Sequence, residues 1–315
     1  MGDVPLRAVS RTQGNNRAVK DGTVAPDGFT FDWVEVTPLV AGFRRMVRNL
    51  DFDVCEMALT TYLCARAHGV RFTAVPVFIV RGFHHGAILR NTASEVREPG
   101  DLEGRRVGVN RGYTVTTGVW ARGILAEEYG VDLDKVTWVR SGDEHVADYR
   151  PPGNVESLSD GQSLPDALQS GELPAAVGLT LDAATVAPLL PDPEAAGLGA
   201  LRERGLYPIN HTVVIRDEVL IEHPNVATAV FEAFTESKRR YVDALRASEL
   251  EHPDEADQMY RRVMDVTGGD PLPYGVEPNR DMLETLARYA VDQHIVDGPV
   301  DVASLFAPAA RDLVG

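Results

Sequence analysis

The chain is 315 residues long, 44% hydrophobic and 25% charged, with a formal net charge of −16. That length exceeds the usual span of one hydrophobic core, so two domains are expected. The acidic balance argues against nucleic acid or an anionic membrane surface as the main partner. No run approaches the roughly 18 apolar residues of a membrane span. The start, Met-Gly-Asp-Val-Pro-Leu-Arg, lacks a basic stretch followed by an apolar one, so a cytoplasmic protein is expected. Cys55 and Cys64, the only cysteines, fall on a predicted strand and the following helix. They read as buried thiols, not as a disulfide framework or a zinc site.

In chain order, residues 6–9 form a first predicted strand, followed by a polar turn through Gln13, Gly14, Asn15 and Asn16. Residues 38–50 carry helical spacing through Leu39, Phe43, Met46, Val47 and Leu50. A strand over 52–57, a helix over 60–67, a β-rich run over 72–80 and a strand over 87–89 follow. This alternation predicts a largely parallel sheet covered by helices. Residues 107–109 read as a buried strand, 110–113 as a turn, and Thr116 or Thr117 as the N-cap of a helix carrying Val119, Trp120, Ile124 and Leu125. A strand–turn–helix of this kind gathers backbone N–H groups at one spot suited to a carboxylate or phosphate, although it is also an ordinary α/β unit. Beyond it lie a strand over 136–140, a polar Pro/Gly-rich stretch over 141–163 that reads as a long surface loop or hairpin, a helix at 164–168 and a strand at 175–178. Helices are predicted at 182–190 and 194–205, a strand at 207–215, and helices at 226–245, 253–264 and 277–292.

Several of these segments carry a resemblance: Phe52-Asp53-Val54-Cys55-Glu56-Met57-Ala58-Leu59, Ala74-Val75-Pro76-Val77-Phe78, Arg81-Gly82-Phe83-His84-His85 and Val119-Trp120-Ala121-Arg122-Gly123-Ile124-Leu125. Tyr207-Pro208-Ile209-Asn210-His211 and Tyr274-Gly275-Val276-Glu277-Pro278-Asn279-Arg280 continue it. Together they resemble the 4,5-dihydroxyphthalate decarboxylase family, in order over nearly the whole chain. The resemblance implies an α/β, two-lobed fold like periplasmic solute-binding proteins of the second topological type, each lobe a sheet flanked by helices. It places residues 1–88 plus 207–315 in a discontinuous first lobe and 89–206 in an inserted second lobe, with the ligand in the cleft between them. A homo-oligomer is expected from the same source.

The sequence departs from the family pattern where a ligand would bind. Gln13-Gly14-Asn15-Asn16 replaces an aromatic–Asp–basic–Thr run, and Leu179-Thr180 replaces Pro-Arg, which removes a carboxylate clamp. His84-His85 replaces an Arg-His pair. The expected reaction is therefore decarboxylation of a small hydroxylated aromatic or related carboxylic acid other than dihydroxyphthalate. The hydroxyl of such a substrate pushes electrons into the ring, so no cofactor is expected; the protein must supply a proton and hold the carboxylate. His85, His211 and His84 are the candidate proton donors. Because successive strand residues point to opposite faces, at most one of His84 and His85 is expected to reach the ligand. Their spacing does not predict a metal site.

Candidate substrate-binding residues are Asn15 and Asn16 in the first turn, Glu56, Thr60 and Thr61 capping a helix, and Arg81 as the remaining cationic clamp. Arg111, Tyr113, Thr116 and Thr117 form the expected cradle, with Thr180 at the lost arginine position. Two other readings remain open: a non-catalytic solute-binding protein of a transporter, and a dehydration or rearrangement on the same scaffold.

Overall fold

The computed structural model describes residues 2–315. In chain order its elements are β1 (Val4–Val9), α1 (Arg17–Lys20), β2 (Phe29–Trp33), α2 (Leu39–Asn49), β3 (Val54–Ala58), α3 (Leu59–Ala67) and β4 (Phe72–Arg81). There follow β5 (Ile88–Asn91), β6 (Arg106–Val109), α4 (Thr116–Tyr129), β7 (Thr137–Arg140), β8 (Val155–Ser157), α5 (Leu164–Ser170), β9 (Ala175–Val177), β10 (Val186–Pro188) and α6 (Pro193–Arg204). The chain ends with β11 (Ile209–Arg216), α7 (Asp217–Glu222), α8 (Val226–Ala247), α9 (Glu255–Thr267) and α10 (Arg280–Asp292). Among the described residues no helix is long and apolar enough to cross a membrane.

The chain separates into two compact units, one of Met1–Gly82, Ile209–Ala287 and Pro299–Gly315, the other of Phe83–Pro208 and Arg288–Gly298. In the first unit the sheet order is β2-β1-β3-β11-β4. Strand β1 is parallel to β2 and β3, whereas β11 runs antiparallel to both β3 and β4. All five residues of β3 are buried, because that strand has neighbours on both edges and helices over its faces. Cys55 and Cys64 are buried free thiols on β3 and α3, as expected. In the second unit the order is β10-β5-β9-β6-β7-β8, with β9, β6, β7 and β8 mutually parallel and β5 antiparallel to both its neighbours. Both sheets are thus mixed, not largely parallel, because each includes a strand that returns against its neighbours.

Three sequence expectations are corrected. Residues 182–190 are not helical but contain the edge strand β10, antiparallel to β5. Thr185 and Val186 favour extended backbone, and Pro188 is tolerated because it lies on an edge. Strand β2 was not among the predicted elements, although Phe29, Phe31 and Trp33 alternate with Thr30 and Asp32. The 141–163 stretch is not wholly a surface loop: it holds β8, and Glu144, His145 and Val146 in it are buried.

Helix α4 is buried along most of its length and ends at Gly130, whose φ of 69° is the left-handed conformation of a helix C-cap. Its Gly123 lies flat against the Tyr289 ring, so that a Cβ would overlap ring atoms. That ring also packs edge-on to Trp120, with centroids 5.6 Å apart, and its hydroxyl donates to Glu127. Gly123→Ala would gain about 1 kcal/mol of helix propensity, but overpacking costs typically 1–3 kcal/mol. Gly123→Ala is expected to lower the urea midpoint of the protein, and Gly123→Leu to lower it further.

Candidate functional site

In the first unit the sheet register builds a buried carboxylate–imidazole pair. On β3 and β11, Glu56 lies opposite Val213 and Ala58 opposite His211. Glu56 and His211 are therefore diagonal neighbours on one face, and His211 Nδ1 stands 2.6 Å from Glu56 Oε1. The other carboxylate oxygen accepts from Ser10 Oγ at 2.7 Å and from the Arg11 N–H at 3.0 Å. Both donors sit just past the end of β1, which runs parallel beside β3. Asn16 braces that loop: its Nδ2 donates to Ser10 Oγ at 3.0 Å and to the Arg11 carbonyl at 2.9 Å, while its Oδ1 accepts from the Gln13 N–H.

Burial pushes the Glu56 carboxyl up, but hydrogen bonds from His211, Ser10 and the Arg11 N–H outweigh it and hold the group below its ordinary range. Glu56 is therefore an anion, and His211 presents Nδ1–H to it. Phe43 meets the imidazole edge-on at 5.2 Å and fixes the ring plane. The His211 side chain keeps 20% of its surface exposed while that of Glu56 has none. Nε2 is thus the nitrogen left to meet a ligand.

Other expected residues of this unit take different places. Asn15 is buried, donates from Nδ2 to the Ile79 carbonyl at 2.9 Å and has no partner at Oδ1. Thr60 and Thr61 are buried in the first turn of α3, but the N-cap position belongs to Ala58, so neither hydroxyl caps the helix. Thr61 Oγ1 has no hydrogen-bond partner. Arg81 is buried and donates from Nη1 to Asn279 Oδ1 at 2.7 Å, which makes it a brace at the end of β4.

In the second unit the expected cradle is already partly filled. The Glu144 carboxylate accepts from the Tyr113 N–H at 2.6 Å, the Thr114 N–H at 3.1 Å and Thr114 Oγ1 at 2.7 Å. A Cβ on Gly112 would come within 2.5 Å of Glu144 Oε2, so only glycine leaves room for this return. Arg111 holds a φ of 65°, donates its N–H to Ser141 Oγ at 2.8 Å and has an exposed side chain. Helix α4 starts at Thr116 with Val115 at the N-cap and no side-chain cap, so neither Thr116 nor Thr117 is the cap. Thr116 is buried and Thr117 half-buried in that first turn, and Thr180 is exposed. Beneath lies Arg122, fully buried, with Nη2 donating to the Tyr113 carbonyl at 2.7 Å and its guanidinium 3.9 Å from the Tyr113 ring centroid.

His85 is fully buried in a short 3₁₀ turn, with Nε2 3.0 Å from Glu128, which Arg204 also pairs at 2.6 Å. Burial pushes the Glu128 carboxyl up, but His85 and Arg204 together hold it below its ordinary range. His84 is buried at the N-cap of the same turn. The structure therefore joins Asn16, Glu56 and His211 in one network, and sets His85 in a separate ionic triad. Ser10, Arg11, Arg122, Glu144 and His145 were not singled out from sequence. A polar residue directly after a predicted strand was the available signal for Ser10; nothing local marks Glu144. Among the described residues no group of three or more His, Cys, Asp or Glu is placed to hold a metal ion.

The two lobes define a periplasmic-binding-protein-like fold. The chain aligns with the periplasmic aliphatic sulphonate binding protein SsuA from Escherichia coli at a TM-score of 0.55 and 13% identity, covering 97% of this chain and 98% of that one. It aligns with the desulfurization enzyme DSZB at a TM-score of 0.52 and 16% identity, covering 97% and 96%. At such identities the likeness is one of fold. No family model matches the chain. In sequence the chain is similar to a 4,5-dihydroxyphthalate decarboxylase of Comamonas testosteroni, 29% identical over 319 residues and 94% of each protein. A second relative, the 4,5-dihydroxyphthalate decarboxylase of Pseudomonas putida, is 35% identical over 170 residues, which is 51% of this chain and 65% of that protein. The resemblance read from the sequence is borne out.

The lowered Glu56 carboxyl has a pH consequence. Its folded-state value lies below the ordinary 4.5, so its contribution to stability is fully present above that pH. It is lost as pH falls through the lower folded value. In Glu56→Gln the acid limb of a urea-midpoint profile, measured from neutral pH to about pH 3, is expected to flatten relative to the parent.

Proposed function

We propose that this protein is a decarboxylase of a small hydroxylated aromatic carboxylic acid, with His211 as the proton carrier. The observation that carries the reading is the Glu56–His211 pair, in which the carboxylate holds Nδ1 and leaves Nε2 to act. The names of both curated relatives support the reaction class and the aromatic acid.

In this reading His211 is protonated when substrate binds, and the Glu56 anion stabilises the imidazolium. Nε2 delivers its proton to the ring carbon that bears the carboxylate, forming the new C–H bond. The electrons of the C–C bond return to the ring as carbon dioxide leaves, and the substrate hydroxyl stabilises the transient positive charge. Solvent reprotonates the imidazole. The carboxylate loses its negative charge as carbon dioxide and the imidazolium its positive one, while the protonated ring takes up the C–C electron pair, so no electron-sink cofactor is required.

Asn15 Oδ1, with its amide nitrogen committed to Ile79, is an acceptor suited to a phenolic O–H, and Thr61 Oγ1 is a second hydroxyl partner. Within the second unit, Arg111, Thr116 and Thr117 are proposed as groups able to bind a carboxylate. The Tyr113 and Thr114 N–H groups serve Glu144 instead. The substitution of Leu179-Thr180 for Pro-Arg supports an acid other than the one for which the relatives are named.

Carbon dioxide release from a panel of hydroxybenzoic and hydroxyphthalic acids tests the reading. At least one acid is expected to be turned over; an acid that binds and is never decarboxylated would make the chain a solute-binding protein. His211→Ala is expected to lower kcat by about 10²–10⁴-fold while still binding a substrate analogue, and unchanged turnover would remove His211 from the chemistry. Activity is expected to survive exhaustive chelation, measured by the same carbon dioxide assay.

A further inference from the structure

Apart from the Glu56–His211 network, the first unit holds a cavity of about 490 Å³ between the start of α1, the C-terminal half of α8 and the loop leading to α9. None of its lining residues belongs to the pair or its direct partners. Ser237, on α8, lines this cavity; it is only 1% exposed, and its Oγ has no hydrogen-bond partner. A hydroxyl withdrawn from water without a partner is costly unless something else occupies it. Tyr241, one turn further along α8, packs against Gly14 so closely that a Cβ there would enter the ring, and its hydroxyl donates to Asp257. The wall is therefore fixed, and the Ser237 oxygen is a buried polar group in it without a bond.

The charge around the cavity has a sign. Five carboxylates line it, those of Asp21, Glu249, Glu251, Asp254 and Asp257, against the guanidiniums of Arg17 and Arg240. Arg240 is bonded to Glu236 at 2.8 Å, and both arginines act on Asp21. Asp254 caps α9 and Asp257 receives the Tyr241 hydroxyl. The carboxylates left over are those of Glu249 and Glu251, both exposed at the rim beside His252.

We propose that this cavity binds a small organic amine, its ammonium group held by Glu249 and Glu251 and a further N–H or O–H donated to Ser237 Oγ. A diamine matches both ends, since one ammonium meets the rim and the second donates to the buried hydroxyl. The site is separate from the decarboxylase reading and does not depend on it. The Gly14 turn continues directly into Asn15 and Asn16, which places an occupant next to the loop that carries the Glu56 donors.

Calorimetric titration of the full chain with 1,4-diaminobutane at low salt tests the site, with succinate as the anionic counterpart. One saturable equivalent of the diamine and no binding of succinate are expected. Glu249→Gln with Glu251→Gln, two exposed changes, should weaken binding roughly tenfold or more, and Ser237→Ala should weaken it separately. Circular dichroism confirms that each variant is folded. Absence of saturable diamine binding, equal binding of succinate, or an unchanged affinity in the rim variant would overturn the proposal.

Discussion

A carboxylate buried in the middle of a sheet must be answered by donors, because an unpaired charge there costs several kcal/mol. Glu56 occupies such a place, and its needs organise the surrounding chain. Ser10 and the Arg11 N–H come from the end of β1, and His211 comes from β11, 155 residues further on. Asn16 then holds the β1 loop in the shape that keeps Ser10 pointed inward. A group that began as a burial problem becomes the means of fixing an imidazole in one orientation, and a fixed imidazole with one nitrogen outward is what proton transfer to carbon requires.

The second unit solves a related problem in the opposite sense. A turn with converging N–H groups is an anion site, and here the protein supplies an anion of its own, Glu144. Gly112 permits the carboxylate to approach, and Arg122 lies buried below the turn with its guanidinium over the Tyr113 ring. The result is a turn ahead of α4 whose Tyr113 and Thr114 N–H groups are already taken by the protein's own carboxylate. His85 shows the same economy: a histidine that sequence reading offers as a proton donor is itself fully buried and held by Glu128, which Arg204 pairs from the surface.

Much of the architecture was legible because it follows from local periodicity. The short apolar runs of β1, β3 and β4, the helical faces of α2 and α8, and Gly130 and Gly205 just past α4 and α6 each give direct signals of element type and end. Strand β10 was misread because three residues on an edge carry too little pattern to outweigh the flanking alanines, and its antiparallel partner β5 lies almost 100 residues earlier. The N-cap of α4 was misplaced because Thr116 and Thr117 have the chemistry of a cap, whereas the backbone turns helical one residue too soon for either to serve.

The sequence by itself determined the candidate groups: a glutamate in a strand, a histidine in a later strand, and two asparagines in an early turn. It also determined the fold, through matching segments spread along nearly the whole chain. Only the tertiary structure decided which groups meet. Glu56 and His211 are joined by the register of two antiparallel strands, and a slip of one residue would send His211 to the other face. Likewise Glu144 reaches the Tyr113 turn only because β6 and β7 lie side by side, so that the loops leaving them come together. Register and loop juxtaposition are long-range properties, set by the packing of whole sheets, and no local stretch of sequence encodes them.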